Sequence, residues 1–277
     1  MKRVFVVNEA LTIAGLDSNG SAGMSADLHS FFADHVYGHS VLTGAVAENA
    51  TRITAEQGMP VSFIQQQLLA QRDFPIRAVK TGMLATSEVI KTVVDNCADG
   101  QFGPLVVDPV IVTKQGDRLL ADDAFSSFCD LLIPSATVIT PNFAEAQELT
   151  GQTLTTPRSF LNAARQLQRQ GAQNVVIKGQ HPQHGQDRRI TTLVLLADGQ
   201  SFWLKNRFMP GKKVNGAGDT FSAIIAAELA KGSEVRHAIV KANDFVAAAI
   251  DHPLNIGKAF MPLNHWAGQN WLFRNEQ

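Results

Sequence analysis

Several features are scarce in this chain of 277 residues, and each scarcity excludes a class of function. Cysteine occurs only at Cys97 and Cys129. Two thiols in a chain this long make no disulfide framework and read as buried groups in a reducing cytosol. Net charge is nearly absent, with 24 Lys and Arg against 25 Asp and Glu. That balance provides no basic field for a nucleic-acid backbone and no acidic tail, so no nucleic-acid partner is expected. No stretch approaches the ~18 uncharged apolar residues of a membrane span. Met1 to Val7 is interrupted by Asn8 and Glu9, too early for a signal segment, and reads as a first strand. Fixed-period repeats, low-complexity stretches and Pro/Ser linkers are missing as well, which favours one domain over residues 1–277.

Certain motifs are also lacking. The glycine-rich run Gly15–Gly23 is followed by no Gly-Lys-Ser/Thr, so it is not a Walker A loop, and its spacing does not fit a dinucleotide fingerprint. Ser18 and Ser21 lack the Gly-x-Ser-x-Gly elbow of a serine hydrolase. His181 and His184 have no companion ligands nearby and read as part of a polar loop. Arg188-Arg189 reads as a solvated turn, and Gln65 to Gln67 as an exposed helix face.

What is present is an alternation of short apolar runs with helical patterns. Leu11–Ala14 leads to a helix near Ala22–His35, Ile76–Lys80 to Ser87–Asn96, and Leu105–Asp108 to Asp122–Leu132. Ala136–Ile139 leads to Ala144–Leu149, and Asn174–Lys178 follows a helix at Ser159–Gln170. Continuous apolar runs of this length fit strands covered on both faces, and their alternation with helices predicts parallel βαβ units. Thr192–Leu196 and Ser201–Lys205 flank the turn signal Asp198-Gly199 and predict an edge hairpin. Helices near Ala217–Ala230 and Val235–Ile250 follow, and the tail from Asp251 reads as irregular. Ligands in such sheets bind beyond the carboxyl ends of the strands. Gly15–Gly23, Thr81–Met83, Asp108-Pro109 and Thr140–Glu145 all fall there.

Asn215-Gly216-Ala217-Gly218-Asp219 carries the most chemistry. Its glycines allow a tight turn, and a helix starting at once presents free N–H groups suited to phosphate. Asp219 fits either of two roles there, a helix cap or a general base. Asn142 and Glu145 form the pattern of a capping box but also stand where a nucleotide site needs polar groups. Lys178 is either a solvated strand end or a phosphate partner, and Asp17 either orders its loop or bonds a polar ring.

Taken together the segments resemble the ribokinase-like superfamily and, within it, the vitamin kinases. Leu11 to Leu28 looks like the N-terminal signature of hydroxymethylpyrimidine kinases and related pyridoxal kinases. Lys80-Thr-Gly-Met-Leu84, Val107–Val110, Val138–Ala146 and Val175–Gly179 follow in the same order. The resemblance implies a ribokinase-like three-layer α/β sandwich, its central sheet mostly parallel, with helices on both faces. It implies Asp219 as catalytic base and Gly216, Ala217 and Gly218 as an anion hole. Asp17, Glu48, Gly82 and Met83 would line the substrate. Lys178, Asn142, Lys205, Lys213 and Lys241 would attend the nucleotide, and Asp108 and Glu145 would organise Mg²⁺ with ATP. A cytoplasmic homodimer is the expected form, and Gln180–Arg189 is a candidate flap over the site. Members that act on the pyrimidine usually have Gln where Glu48 stands; most of them, and the pyridoxal kinases closest to them, have Cys where Asp219 stands, whereas the wider superfamily and the other pyridoxal kinases have Asp. Asn215 replaces the usual Thr or His. The stretch Leu229 to Ile239 is similar to pyridoxal kinases of Gram-positive bacteria. The implied activity is phosphorylation of the 5-hydroxymethyl group of a B6 vitamer, the alternative being a hydroxymethylpyrimidine or its phosphate.

Overall fold

A computed structural model describes residues 6–49, 52–112, 118–180, 189–207, 214–256 and 260–268. The chain runs β1 (Asn8–Asp17), α1 (Gly23–Ala33), β2 (Val36–Glu48), β3 (Ile53–Gly58), α2 (Val61–Gln71), β4 (Val79–Thr81), α3 (Ser87–Cys97) and β5 (Leu105–Val107). Then come α4 (Ala124–Ser127), a π-helical turn (Phe128–Leu132), α5 (Ile133–Ser135), β6 (Val138–Ile139), α6 (Phe143–Thr150), α7 (Pro157–Arg169) and β7 (Asn174–Gln180). The last part holds β8 (Arg189–Leu195), β9 (Ser201–Arg207), β10 (Val214–Asn215), α8 (Ala217–Ala230), α9 (Val235–Asp251), β11 (Met261–Pro262) and α10 (His265–Gly268).

Nine strands form one sheet in the order β3-β2-β1-β4-β5-β6-β7-β8-β9. The six from β2 to β7 in that order are parallel, while β3 closes one edge and β8–β9 the other in antiparallel fashion. Successive strand residues feed opposite cores. Leu11, Val79, Val107, Ile139 and Ile177 pack with α2, α3, α6 and α7. Ala10, Ala78, Val106, Val138 and Val176 pack with α1, α8 and α9. This period of two through apolar runs is why the strands read as continuous hydrophobic stretches. The result is the three-layer α/β sandwich with a mostly parallel sheet that the sequence predicts. After β1 and β2 the chain returns to place β4 on the other side of β1, so the β1/β4 boundary is the topological switch point.

Several elements differ from the sequence reading. β2, thirteen residues long, had no predicted counterpart. Its glycines weaken strand propensity but are needed, since a Cβ at Gly38 would meet Leu28 at 2.7 Å and Phe31 at 3.0 Å. The predicted helix Asp122–Leu132 is a short α-turn that widens into the π-turn before Pro134. The tail is not wholly irregular, because β11 pairs in parallel with β10. Cys97 and Cys129 are half-buried rather than fully buried. No helix among the described residues is long and apolar enough to cross a membrane.

Lys241, expected beside a nucleotide, belongs to a charge cluster that ties helix ends together. Its ammonium pairs with Asp34 at 2.7 Å, after α1, and with Glu228 at 2.5 Å, on α8. Lys231 bridges the same two carboxylates. Burial raises the Glu228 carboxyl, but hydrogen bonds from Lys231, Lys241 and Ser233 outweigh it and hold the group at about 2. Lys241→Met is therefore expected to leave KM for ATP unchanged. It should lower stability by roughly 1 kcal/mol, since the lysine is partly exposed. Steady-state kinetics and thermal unfolding of the variant check both.

Candidate active site

The carboxyl ends of β1, β4, β5, β6 and β7 open onto a single cavity of about 640 Å³. Asp17, Glu48, Met83, Asp108, Asn142, Glu145, Lys178 and the segment from Gly216 to Asp219 all line it. The sequence thus placed most of its candidates on one wall or another of the same space.

The glycine loop after β1 is ordered by Asp17. One carboxylate oxygen accepts the Asn19 N–H at 2.8 Å, and the other accepts the Ala22 N–H at 3.0 Å and the Ser21 N–H at 3.2 Å. This is the loop-ordering role that the sequence offered for Asp17. It borders the cavity, but its oxygens hold the loop that delivers the N-terminus of α1.

Gly216 caps α8 in the left-handed region at φ 77°, and a Cβ there would lie 1.8 Å from the Ser21 carbonyl oxygen. The side chain of Asn215 fastens the same two loops by donating to the Ser21 hydroxyl at 3.0 Å. Asn215 in place of the usual residue therefore joins the loop before α1 to the start of α8. The first intrahelical bond of α8 runs from Thr220 N–H to the Gly216 carbonyl. The amides of Ala217, Gly218 and Asp219 precede it and have no partner within the helix, as at any helix start. At Gly218 a Cβ would stand 3.3 Å from the Lys178 ammonium, so glycine lets the helix end approach that charge.

Asp219 is not a helix cap. Its carboxylate turns to Lys80, 3.3 Å away, and accepts the Gly23 N–H at the start of α1. Burial pushes this carboxyl up, but Lys80, Lys178 and the Gly23 amide prevail and hold it below the ordinary carboxylate range. An ionised carboxylate thus sits between two helix N-termini and two lysines, with 18% of its side chain open to the cavity.

For Asn142 and Glu145 the capping reading holds as well as the site reading. Asn142 accepts the Glu145 N–H at 3.0 Å and Glu145 accepts the Asn142 N–H at 2.8 Å, a complete capping box. Glu145 is also buried against Asp108. Desolvation first, and then the Asp108 charge, push it up to about 7 against the pull of Lys178. Lys178 lies 3.4 Å from Asp108, whose other oxygen accepts the Ser222 hydroxyl at 3.1 Å.

Other candidates stand elsewhere. Gly82 does not line the cavity; it packs behind the wall, where a Cβ would meet Ala14 at 3.0 Å. Lys205 is exposed on β9 and is no part of the lining, whereas its neighbours Asn206 and Arg207 are. The strand pleat turns Asn206 to Asn243 of α9, with their amides 2.6 Å apart. Lys213 and residues 181–188 of the candidate flap, with His181, His184 and Arg188, lie outside the described residues. Met83 reaches across the switch point, so a Cβ on Gly15 would meet its methyl at 2.5 Å.

Two buried charges were missed. Lys80 and Asp27 are wholly inaccessible and 2.6 Å apart. The signal was legible: a lysine ending an apolar strand run and an aspartate on the buried face of α1.

An α/β sandwich with a glycine-capped anion hole, an ionised carboxylate beside it and lysines around it defines a small-molecule kinase of the ribokinase-like vitamin kinase type. The chain belongs to the phosphomethylpyrimidine kinase family, whose profile matches residues 17–264. It is 45% identical to the hydroxymethylpyrimidine/phosphomethylpyrimidine kinase of Haemophilus influenzae, over 94% of this chain and 97% of that one. Among solved structures it is similar to Bacillus subtilis pyridoxal kinase in an ADP complex, with TM-score 0.86 and 35% identity over 95% of this chain and 98% of that one. It is likewise similar to Staphylococcus aureus pyridoxal kinase in complex with AMP-PCP and pyridoxal, with TM-score 0.86 and 31% identity over 96% of each chain.

Two predictions test this geometry. Gly216→Ala is expected to cost about 1–2 kcal/mol of backbone strain and to lower kcat at least about tenfold, as unfolding and turnover measurements would register. The second concerns His265, which shares a hydrogen bond with the Thr220 hydroxyl at 3.0 Å beside Asp219. Burial chiefly, with the nearby His29, lowers its pKa to about 4. The unfolded chain, with histidine near 6.5, then binds more protons than the folded one in the window between these values. Relative to His265→Phe, the wild type should lose stability as pH falls from about 6.5 to about 4, followed by unfolding midpoints across that range.

Proposed function

We propose that this protein transfers the γ-phosphoryl group of ATP to the hydroxymethyl group of a flat aza-aromatic vitamin precursor. The observation that carries this reading is Asp219, ionised and pinned beside the free amides of α8. Phosphoryl transfer asks for positioning and charge stabilisation more than for covalent chemistry. In this reading the substrate ring lies toward Met83 and Glu48, and its hydroxyl points at Asp219. The carboxylate orients that hydroxyl and takes its proton as the oxygen bonds to the γ-phosphorus and the bond from that phosphorus to the bridging oxygen breaks, releasing ADP. The amides of Ala217 and Gly218 meet the charge on the migrating group, and Lys178 approaches the phosphates from the β7 side. The nucleotide extends toward Asn206 and Asn243.

Asp108 and Glu145 fit a magnesium ion. Their oxygens stand close enough for the Asp108 charge to raise the Glu145 pKa, against the pull of Lys178 and of the Asn142 and Ile111 amides. No group of three metal-binding side chains occurs among the described residues, as suits an ion that takes one or two carboxylates and completes its shell with water and phosphate. When bound, the ion neutralises phosphate charge.

For the acceptor we place the hydroxymethylpyrimidine first, with its phosphate as a second acceptor whose phosphate oxygen rather than a hydroxyl attacks, on the identity with the Haemophilus influenzae kinase over nearly both full lengths. This reverses the order read from sequence. A B6 vitamer is the second reading, favoured by Asp219 and by the likeness to the pyridoxal kinases. Asp219→Ala is expected to lower kcat by roughly 10²–10⁴-fold with KM for ATP little changed; near-normal turnover would remove Asp219 as the base. Side-by-side kcat/KM on the pyrimidine, its phosphate, pyridoxal and pyridoxine tests the acceptor. A clear preference for pyridoxal would reinstate the first order.

A further inference from the structure

We infer that Lys80, braced by Asp27, is a positioning residue for phosphoryl transfer. It fixes the Asp219 carboxylate and keeps a permanent positive charge beside it. The inference rests on Asp219 acting as the base and extends that reading to residues that never touch substrate.

The geometry is specific. Lys80 rises from β4 at the switch point, and its ammonium lies 2.6 Å from Asp27 Oδ1 and 3.3 Å from Asp219 Oδ1. The other oxygen of Asp27 accepts the Thr12 hydroxyl at 2.5 Å, so the brace is itself held from β1. Lys80 and Asp27 are wholly buried, and neither borders the cavity. A buried ion pair stabilises a fold little more than apolar side chains of the same volume. Stability alone is therefore a weak reason for charges here.

Chemistry gives a stronger one. A carboxylate base must stand beside an incoming triphosphate, and the two repel. Asp219 is faced by Lys80 from β4, by Lys178 from β7 and by the Gly23 amide from α1, with Asp27 and Asp108 behind the two lysines. Lys178 lines the cavity and also pairs with Asp108, so an arriving phosphate competes for it. Lys80 is sealed from the cavity, and its charge remains with Asp219 throughout turnover. A fixed charge in a water-excluded place needs no rearrangement at the moment of reaction.

The test compares wild type, the paired variant Lys80→Met/Asp27→Asn, Asp219→Asn, and all three changes together. The paired change removes both charges and leaves no orphan ion, and the amide oxygen it introduces on α1 can still accept from Thr12. Circular dichroism and unfolding midpoints establish folding, and turnover is followed with ATP and the better acceptor of the panel. The folded paired variant is expected to lose on the order of 10²-fold in kcat with both KM values within about threefold. On the Asp219→Asn background the same pair should change residual turnover by less than about threefold, since residues acting as a unit are not additive. Wild-type kcat in the paired variant, or an equal loss on both backgrounds, overturns the inference. Near-normal turnover of Asp219→Asn itself would instead overturn the base assignment. If the paired variant does not fold, Asp27→Asn alone decides. Freed from its brace, Lys80 should then lower kcat about tenfold at unchanged KM, and unchanged kcat would reject the role.

Discussion

The ammonium of Lys80 is the point at which the sheet, the first helix and the catalytic helix meet. Without it, Asp27 and Asp219 would be two carboxylates sharing an interior place, and such groups cannot both remain ionised. Burial pushes the Asp27 carboxyl up to about 7 even with Lys80 present, whereas Asp219 lies below its ordinary range. The difference follows from surroundings. Asp27 sees one lysine and a hydroxyl. Asp219 sees two lysines and a helix amide, and it opens to the cavity. One buried cation therefore lies between two chemically identical groups whose surroundings push them in opposite directions, as a brace and the proposed base require.

That arrangement depends on glycines in two loops. Gly23 begins α1 at φ 55°, where a Cβ would meet the Gly15 carbonyl oxygen at 2.5 Å, and Gly216 begins α8 under a similar constraint from Ser21. Each glycine lets a helix start directly against a strand-end loop, so both positive helix ends reach the same carboxylate. Asn215 and Asp17, which both border the cavity, hold the loops through Ser21 and the loop amides. In the proposed reading, recognition of phosphate is thus largely a property of backbone.

Legibility in the sequence follows from the same division. Strands covered on both faces announce themselves as apolar runs, so β1, β5, β6 and β7 were readable, along with the residues that follow them. β2 was not, because its glycines and polar residues answer to Phe31, Leu28 and Met83, contacts that exist only after folding. Asp17, Glu145 and Asp219 were all ambiguous between holding backbone and doing chemistry. Their structural bonds differ: Asp17 holds its loop, Asp219 is turned to the lysines, and Glu145 completes a capping box while facing the cavity beside Asp108. Lys205 and Lys241 illustrate the opposite error. A lysine near the right stretch of sequence says nothing of its direction, which the strand pleat decides for one and Asp34 with Glu228 for the other.

Glu145 shows why holding backbone and doing chemistry need not compete. Its capping bond fixes one oxygen to the Asn142 amide, and the amide of Ile111 lies 3.4 Å from the other. The carboxylate is thereby held close to Asp108 despite their repulsion. A capping box is rigid, and rigidity is what a pair of like charges needs if both are to await a cation. The phosphate end of the cavity is built this way throughout, from groups whose structural bonds fix their chemical direction. The end that the proposed reading gives to the acceptor is different: Met83, Gly15 and Glu48 line it. In that reading, kinases of one fold share the phosphoryl-transfer groups and differ in acceptor through a few residues such as these. Overall likeness of fold therefore says less about the acceptor than the identity of those few side chains.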